Sequence, residues 1–164
     1  MDFKLDETVY YSTRLMRVAG VMALGGASGQ KTTRYLLEDA SGAPVLLEEG
    51  DGKFALLRPF PIGARPPAAG NVVTIGRAKY TLVGVRKLSL LGVQGKAPGG
   101  RPHAPLLLSG ILEGEAGTLM RELAPGAGGQ VYYLVKALEP GAVLTQAQHD
   151  AARAAQRRAA GEQD

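Results

Sequence analysis

Between residues 7 and 138 the chain is cut into short runs rich in Val, Leu, Tyr and Thr, each stopped by Gly, Pro, Asp or Ser. The runs are "TVYY", "RLMRVAGVMAL", "TTRYLLED", "APVLLEE", "KFALLRPF", "NVVTI", "KYTLVGVRKL", "PLLLSGIL", "TLMREL" and "QVYYLVKAL". Runs of this length with turn chemistry at both ends predict antiparallel β structure rather than helices. The 23 Gly and 10 Pro spread along the sequence act in the same direction, because they favour many turns between short elements. "EDASGAP" and "EEGDGKF" are predicted as tight hairpin turns, since Ser-Gly and Asp-Gly supply the positive φ such turns require.

Two segments break the pattern. "PIGARPPAAG", residues 61–70, cannot sustain a sheet and reads as a connector between a first β unit, 1–60, and a second, 71–141. "GKAPGGRPHAP", from Gly95 to Pro105, reads as a long loop inside the second unit. After residue 141 the composition turns Ala-rich. Thr145 followed by Gln148 is a capping-box spacing, so a helix is predicted over 145–160, with 161–164 as a tail. Arg153, Arg157 and Arg158 fall in its C-terminal half, where cations complement the helix dipole.

The two β units resemble each other. Setting "VYYSTRLMRVAGVMAL" above "VTIGRAKYTLVGVRKL" without a gap matches Val9 with Val73, Gly20 with Gly84, Val21 with Val85 and Leu24 with Leu88, at an offset of 64. Further on, Leu36–Leu37 is set against Leu107–Leu108, Glu48 against Glu122, and "FALL" against "VYYL". The expected fold is therefore mainly β: two small, similar antiparallel units, SH3-like or small barrels or curled sheets, packed together with a C-terminal helix. Such a pair shares an interface that neither small core could bury alone.

"RYLLEDASGAPVLLEEGDGKFALLRPF", "YTLVGVRKLSLLGVQGKAP", "LMREL" and "GQVYYLVKALEPGAVL" together resemble the family known as domain of unknown function 4178. That family has a leucine-rich hairpin, a turn ahead of a Gly/Pro-rich stretch, and an aromatic closing strand. The family often carries Trp in these strands; here Val45, Phe54 and Tyr133 stand at the corresponding places. The resemblance implies a β-rich, non-catalytic bacterial module, often encoded near membrane-stress proteins and polyamine-synthesis enzymes, and it carries over no functional residues.

Catalytic signatures fail on spacing. The glycine run in "MALGGASGQKTTRYLLEDASG" lacks the phosphate-loop pattern, because Gln30 separates Gly29 from Lys31 and the β-prone run that follows leaves no room for the required helix. Ser28 lacks the second glycine and the helix of a nucleophile elbow. His103 and His149 have no ligand-like neighbours at short spacing, and the absence of Cys excludes disulfides, thiolate catalysis and thiolate-bound metals. No catalytic residue, metal or cofactor is expected. The acidic start and the lack of a long apolar run point to a cytoplasmic protein that does not span a membrane.

What remains is binding. Residues 71–141 carry 8 basic and 4 acidic groups, so the whole net charge of +4 sits there. Arg77, Lys79, Arg86, Lys87, Tyr132, Tyr133 and Lys136 form a basic and aromatic set of the kind that small barrels use on single-stranded nucleic acid. Tyr80 alternates with Leu82 and Gly84 and is predicted to face the core. The pairs Glu38/Asp39 and Glu48/Glu49 read as solvated strand edges, with Glu48 and Glu122 the acidic residues that recur in both units. The expected function is a non-enzymatic interaction or scaffold module with a protein partner, in a membrane-stress or polyamine-linked setting. The alternatives are a nucleic-acid-binding barrel and a small-molecule sensor with its site between the units.

Overall fold

The computed structural model of the chain describes residues 3–60, 71–97, 105–123 and 130–161. The expected connector 61–70, the loop residues 98–104 with His103, and the end of the tail lie outside the described residues. The strands are β1 (Thr8–Tyr11), β2 (Arg14–Gly25), β3 (Lys31–Glu38), β4 (Pro44–Gly50), β5 (Lys53–Pro59), β6 (Val72–Ile75), β7 (Ala78–Gly95), β8 (Leu106–Gly114), β9 (Gly117–Leu123), β10 (Gln130–Ala137) and β11 (Val143–Thr145), followed by helix α1 (Gln146–Ala159).

All eleven strands join one sheet, in which β2–β3–β4–β5–β10–β9–β8–β7 return to β2 and close an eight-stranded antiparallel barrel. Closure rests on two ladders between the halves of the sequence: β5 pairs with β10 around Arg58↔Leu134, and β2 pairs with β7 from Gly20↔Gly95 to Gly25↔Ser89. β1 and β11 extend the sheet beyond β2, and β6 extends it beyond β7. The strands therefore do not form two separate sheets packed face to face; both halves wall one common interior.

Turn chemistry fixes the hairpins. Asp51 (φ 52°) and Gly52 (φ 74°) make the two-residue turn between β4 and β5. At the β3–β4 turn Asp39 Oδ1 accepts from the Ser41 N–H (2.9 Å), the Ser41 hydroxyl (2.6 Å) and the Ala43 N–H (3.0 Å). The glycine run after β2 is a plain β2–β3 hairpin loop, with the Gly26 N–H donating to the Gln30 carbonyl at 2.7 Å.

Period-two alternation sends side chains of the barrel strands to two buried layers. Inward, Leu24, Leu88 and Leu107 fill one part of the barrel, and Leu46, Leu57, Met120 and Tyr133 another. Outward, Tyr35, Leu37, Leu47 and Leu56 are covered by Phe3, Val9 and Val143, while Leu112, Leu119 and Tyr132 are covered by β6 residue Val73 and by Phe60. The ladder register shifts between Val18 and Gly20 on β2 and again between Leu82 and Gly84 on β7, positions 64 apart. The ladders pair Leu36 with Gly20 and Ile111 with Gly84, and Ala55 with Glu48 and Val131 with Glu122; if the halves are compared by register, Leu36–Leu37 is set against Ile111–Leu112 rather than Leu107–Leu108, and "ALLR" rather than "FALL" against "VYYL".

α1 starts at the expected capping box: the Thr145 hydroxyl accepts from the Gln148 N–H (3.2 Å) and the Gln148 side chain accepts from the Thr145 N–H (2.9 Å). It buries no residue, and its anchor is its first turn, where His149 stacks on Tyr10 at 3.7 Å between ring centroids.

Candidate functional site

On β3, Tyr35 and Leu37 face the outer layer, so Arg34 must face the barrel interior. There it meets carboxylates from two other strands. Its Nε donates to Glu48 Oε2 at 3.0 Å, from the adjacent β4, and its Nη2 lies 2.6 Å from Glu122 Oε2, which projects from β9 across the barrel. Arg86 on β7 completes the cluster, donating through Nη1 to Glu48 Oε1 (2.8 Å) and through Nη2 to the Ser109 hydroxyl (3.2 Å) and the Met120 sulfur (3.3 Å). Two guanidiniums and two carboxylates leave the cluster neutral, as charges in a dry interior must be.

Burial alone would pull the Arg34 guanidinium towards neutrality, but Glu122 and Glu48 outweigh it and hold Arg34 above its ordinary pKa. Glu48 shows the same contest. Its burial favours the protonated acid, yet Arg34 and Arg86 together leave it below the ordinary glutamate value. Both groups are ionised at neutral pH. Because Arg34–Glu122 and Arg86–Glu48 each span the barrel, a one-residue slip of either ladder would strand a charge, and the cluster fixes register.

Beside this cluster a stretch of β7 has no partner strand among the described residues. β7 has two partners on its outer flank: β6 along Ala78–Thr81 and β2 along Ser89–Gly95. The Leu82 N–H still donates to the Asn71 carbonyl at 2.7 Å, but between Leu82 and Ser89 no described residue pairs with that flank. The Leu90 N–H donates to the Pro105 carbonyl on the β8 side (3.0 Å), so by alternation Lys87 and Val85 turn their N–H and C=O groups to the open flank. The matched stretch of β2, Gly20–Leu24, is closed by β7 itself. A methyl group on Gly20 would sit 1.9 Å from the Lys96 carbonyl oxygen, whereas one on Gly84 would meet nothing within 4 Å.

Exposure follows the gap. Val83 and Val85, within the stretch that has no partner, are 55% and 65% exposed. Arg86 points into the barrel, yet its side chain is 32% exposed through the opening, while Met22, at the matching place on β2, is buried. Its Nε is itself buried and has no hydrogen-bond partner.

The sequence-derived set is thus split. Glu48, Glu122 and Arg86 meet in the interior; the reading of Glu48/Glu49 as solvated edges is overturned, because Glu48 lines the barrel and Glu49 is buried on the opposite face. Tyr132 and Tyr133 are buried in separate clusters and offer no stacking surface, which corrects their place in a binding face. Arg77 and Lys79 are exposed at the β6–β7 turn and Lys87 on the outside of β7, whereas Lys136 is exposed on β10 beside Leu56. Arg34, Ser109 and Met120 were not singled out from sequence. The signal for Arg34 was present: two buried acids recurring at matching positions demand cations on neighbouring strands, and Arg34 is the register partner of Glu48.

Among the described residues no helix is long and apolar enough to cross a membrane, and no cluster of His, Asp and Glu is arranged for a metal. Fold and site define a closed eight-stranded antiparallel barrel with an interior ion cluster and, among the described residues, a stretch of β7 without a partner on its outer flank. Comparison with protein-family models, with curated proteins and with solved structures yields no match.

Proposed function

We propose that the protein is a non-catalytic interaction module that takes an extended segment of a partner protein as an added strand on β7. One observation carries this reading: the flank of β7 between Leu82 and Ser89, unpaired among the described residues, presents backbone donors and acceptors next to exposed Val83 and Val85. Such an edge is a template for strand addition, in which main-chain hydrogen bonds give affinity and alternate side chains give selectivity. The partner segment is acidic, because β6 and β7 carry Lys79, Arg86 and Lys87 and no Asp or Glu.

The reading also takes the two halves as copies of one five-stranded unit. The recurring bulge supports it, as do the two closing ladders, which place matched residues opposite one another: Gly25 against Ser89 and Arg58 against Leu134. On that view β7 residues Leu90–Gly95 fill on β2 the place that stands open on β7.

Amide exchange tests the proposal. In the free protein the Val85 and Lys87 amides should exchange much faster than those of Arg86 and Leu88, and the synthetic peptide Thr-Leu-Glu-Glu-Val-Thr should slow them. Equal protection in the free protein, or no slowing at saturating peptide, would overturn strand addition. A dimer in solution with those amides already protected would make a second copy of the chain the occupant instead.

A further inference from the structure

The filled half of the barrel serves as a template for the open half, and this inference rests on the strand-addition reading above. On β2 the closing strand sets Val93 opposite Met22 and Leu90 opposite Leu24, two apolar pairs that point into the barrel. At the matched positions β7 has Arg86 and Leu88. Leu88 is buried like Leu24, but at Arg86 a guanidinium replaces an apolar side chain; it is 32% exposed overall, with its Nε buried and unbonded and its Nη groups on Glu48, Ser109 and Met120.

Residues directly opposite in an antiparallel pair project to the same face with Cβ atoms about 5 Å apart. An added strand therefore sends the residue opposite Arg86 into the barrel mouth, where an apolar group would desolvate the guanidinium without replacing its lost water. A carboxylate there accepts from Arg86 at the solvent-reaching end of the cluster, where Arg86 is 32% exposed against 3% for Arg34, so the added charge stays partly hydrated, and Glu48 keeps Arg34 as its own donor.

We infer that the site selects a segment with Asp or Glu at the position facing Arg86, an apolar residue two places before it facing Leu88, and an apolar residue directly after it beside Val85. Opposite Lys87, on the outer face, a second acid fits. The segment lies antiparallel to β7, giving the order apolar, acidic, acidic, apolar.

The test compares Thr-Leu-Glu-Glu-Val-Thr with Thr-Leu-Glu-Gln-Val-Thr, which loses only the inward carboxylate, by fluorescence anisotropy on the intact protein. The glutamate peptide should bind about tenfold or more tightly, the size of one charge-assisted hydrogen bond. Arg86→Met should erase that preference, and Arg86→Lys, which keeps the charge and serves if the methionine variant folds poorly, should retain it in weaker form. If both peptides bind equally well to the unaltered protein, selection by Arg86 is wrong while strand addition stands. If neither binds, strand addition itself fails. A preference that survives in a folded Arg86→Met protein would also overturn the assignment.

Discussion

Replacing Arg34 with Met puts the interior cluster to its strongest test. Arg34 and Glu122 lie 2.6 Å apart with side chains 3% and 4% exposed, so solvent screens little of the interaction. Removing the cation leaves Glu48 with Arg86 at 2.8 Å, but it deprives Glu122 of its guanidinium. Breaking a buried pair in this way costs about 3–5 kcal/mol, most of it the penalty for the charge left behind. In urea, with a slope of roughly 2 kcal/mol per molar for a chain of this size, the midpoint should fall by about 2 M. The thermal midpoint should drop by roughly 10 °C. Far-UV circular dichroism and tyrosine fluorescence should report coincident transitions. The sharper outcome is non-additivity: Arg34→Met combined with Glu122→Gln should recover about 1–2 kcal/mol over Arg34→Met alone, since the amide removes the stranded charge. A loss under about 1 kcal/mol for the single variant, or a double variant less stable than the single, would refute the account of Arg34 and Glu122 as a paired, desolvated couple.

Three further outcomes follow from the geometry. Gly20→Ala should be strongly destabilising and Gly84→Ala close to neutral in chemical denaturation, because the added methyl meets the Lys96 carbonyl at 1.9 Å in the first case and nothing within 4 Å in the second. Stability should be flat above the ordinary glutamate pKa of about 4.3 and fall as the pH drops through the lower folded value of Glu48, because protonation discards its pairing with Arg34 and Arg86; Glu48→Gln should flatten that limb in acid titrations followed by circular dichroism. Thr145→Ala should cost α1 about 1 kcal/mol of local stability and reduce the 222 nm signal while the barrel's urea midpoint stays put, since the helix buries no residue.

Much of the strand pattern was legible because each hairpin carries its own turn chemistry, as at Asp51–Gly52, and because alternation is a local signal. Closure was not. Nothing near Gly20 or Gly95 announces that these residues oppose one another, for the ladder between them depends on where both halves of the sheet arrive in space. The same holds for the site. Glu48 and Glu122 stood out by recurrence, yet their partners differ between the halves: Arg34 sits on β3, and the second arginine sits on β7 at the place where β2 has Met22. Tyr132 and Tyr133 misled for a related reason. Adjacent residues on a strand face opposite ways, and in a strand buried on both faces neither direction leads to water.

The order in which this sheet can be completed matters while the chain is being made. β1 gains its outer neighbour only when β11 arrives, and the C-terminal end of β2 gains β7 only after some seventy further residues have been synthesised. Until then the earliest strands to emerge carry open edges, the condition in which nascent β-rich chains are most prone to wrong pairing. The barrel cannot close until β7 and then β10 have been made, and the charges stored inside it help reject mismatched neighbours during that wait.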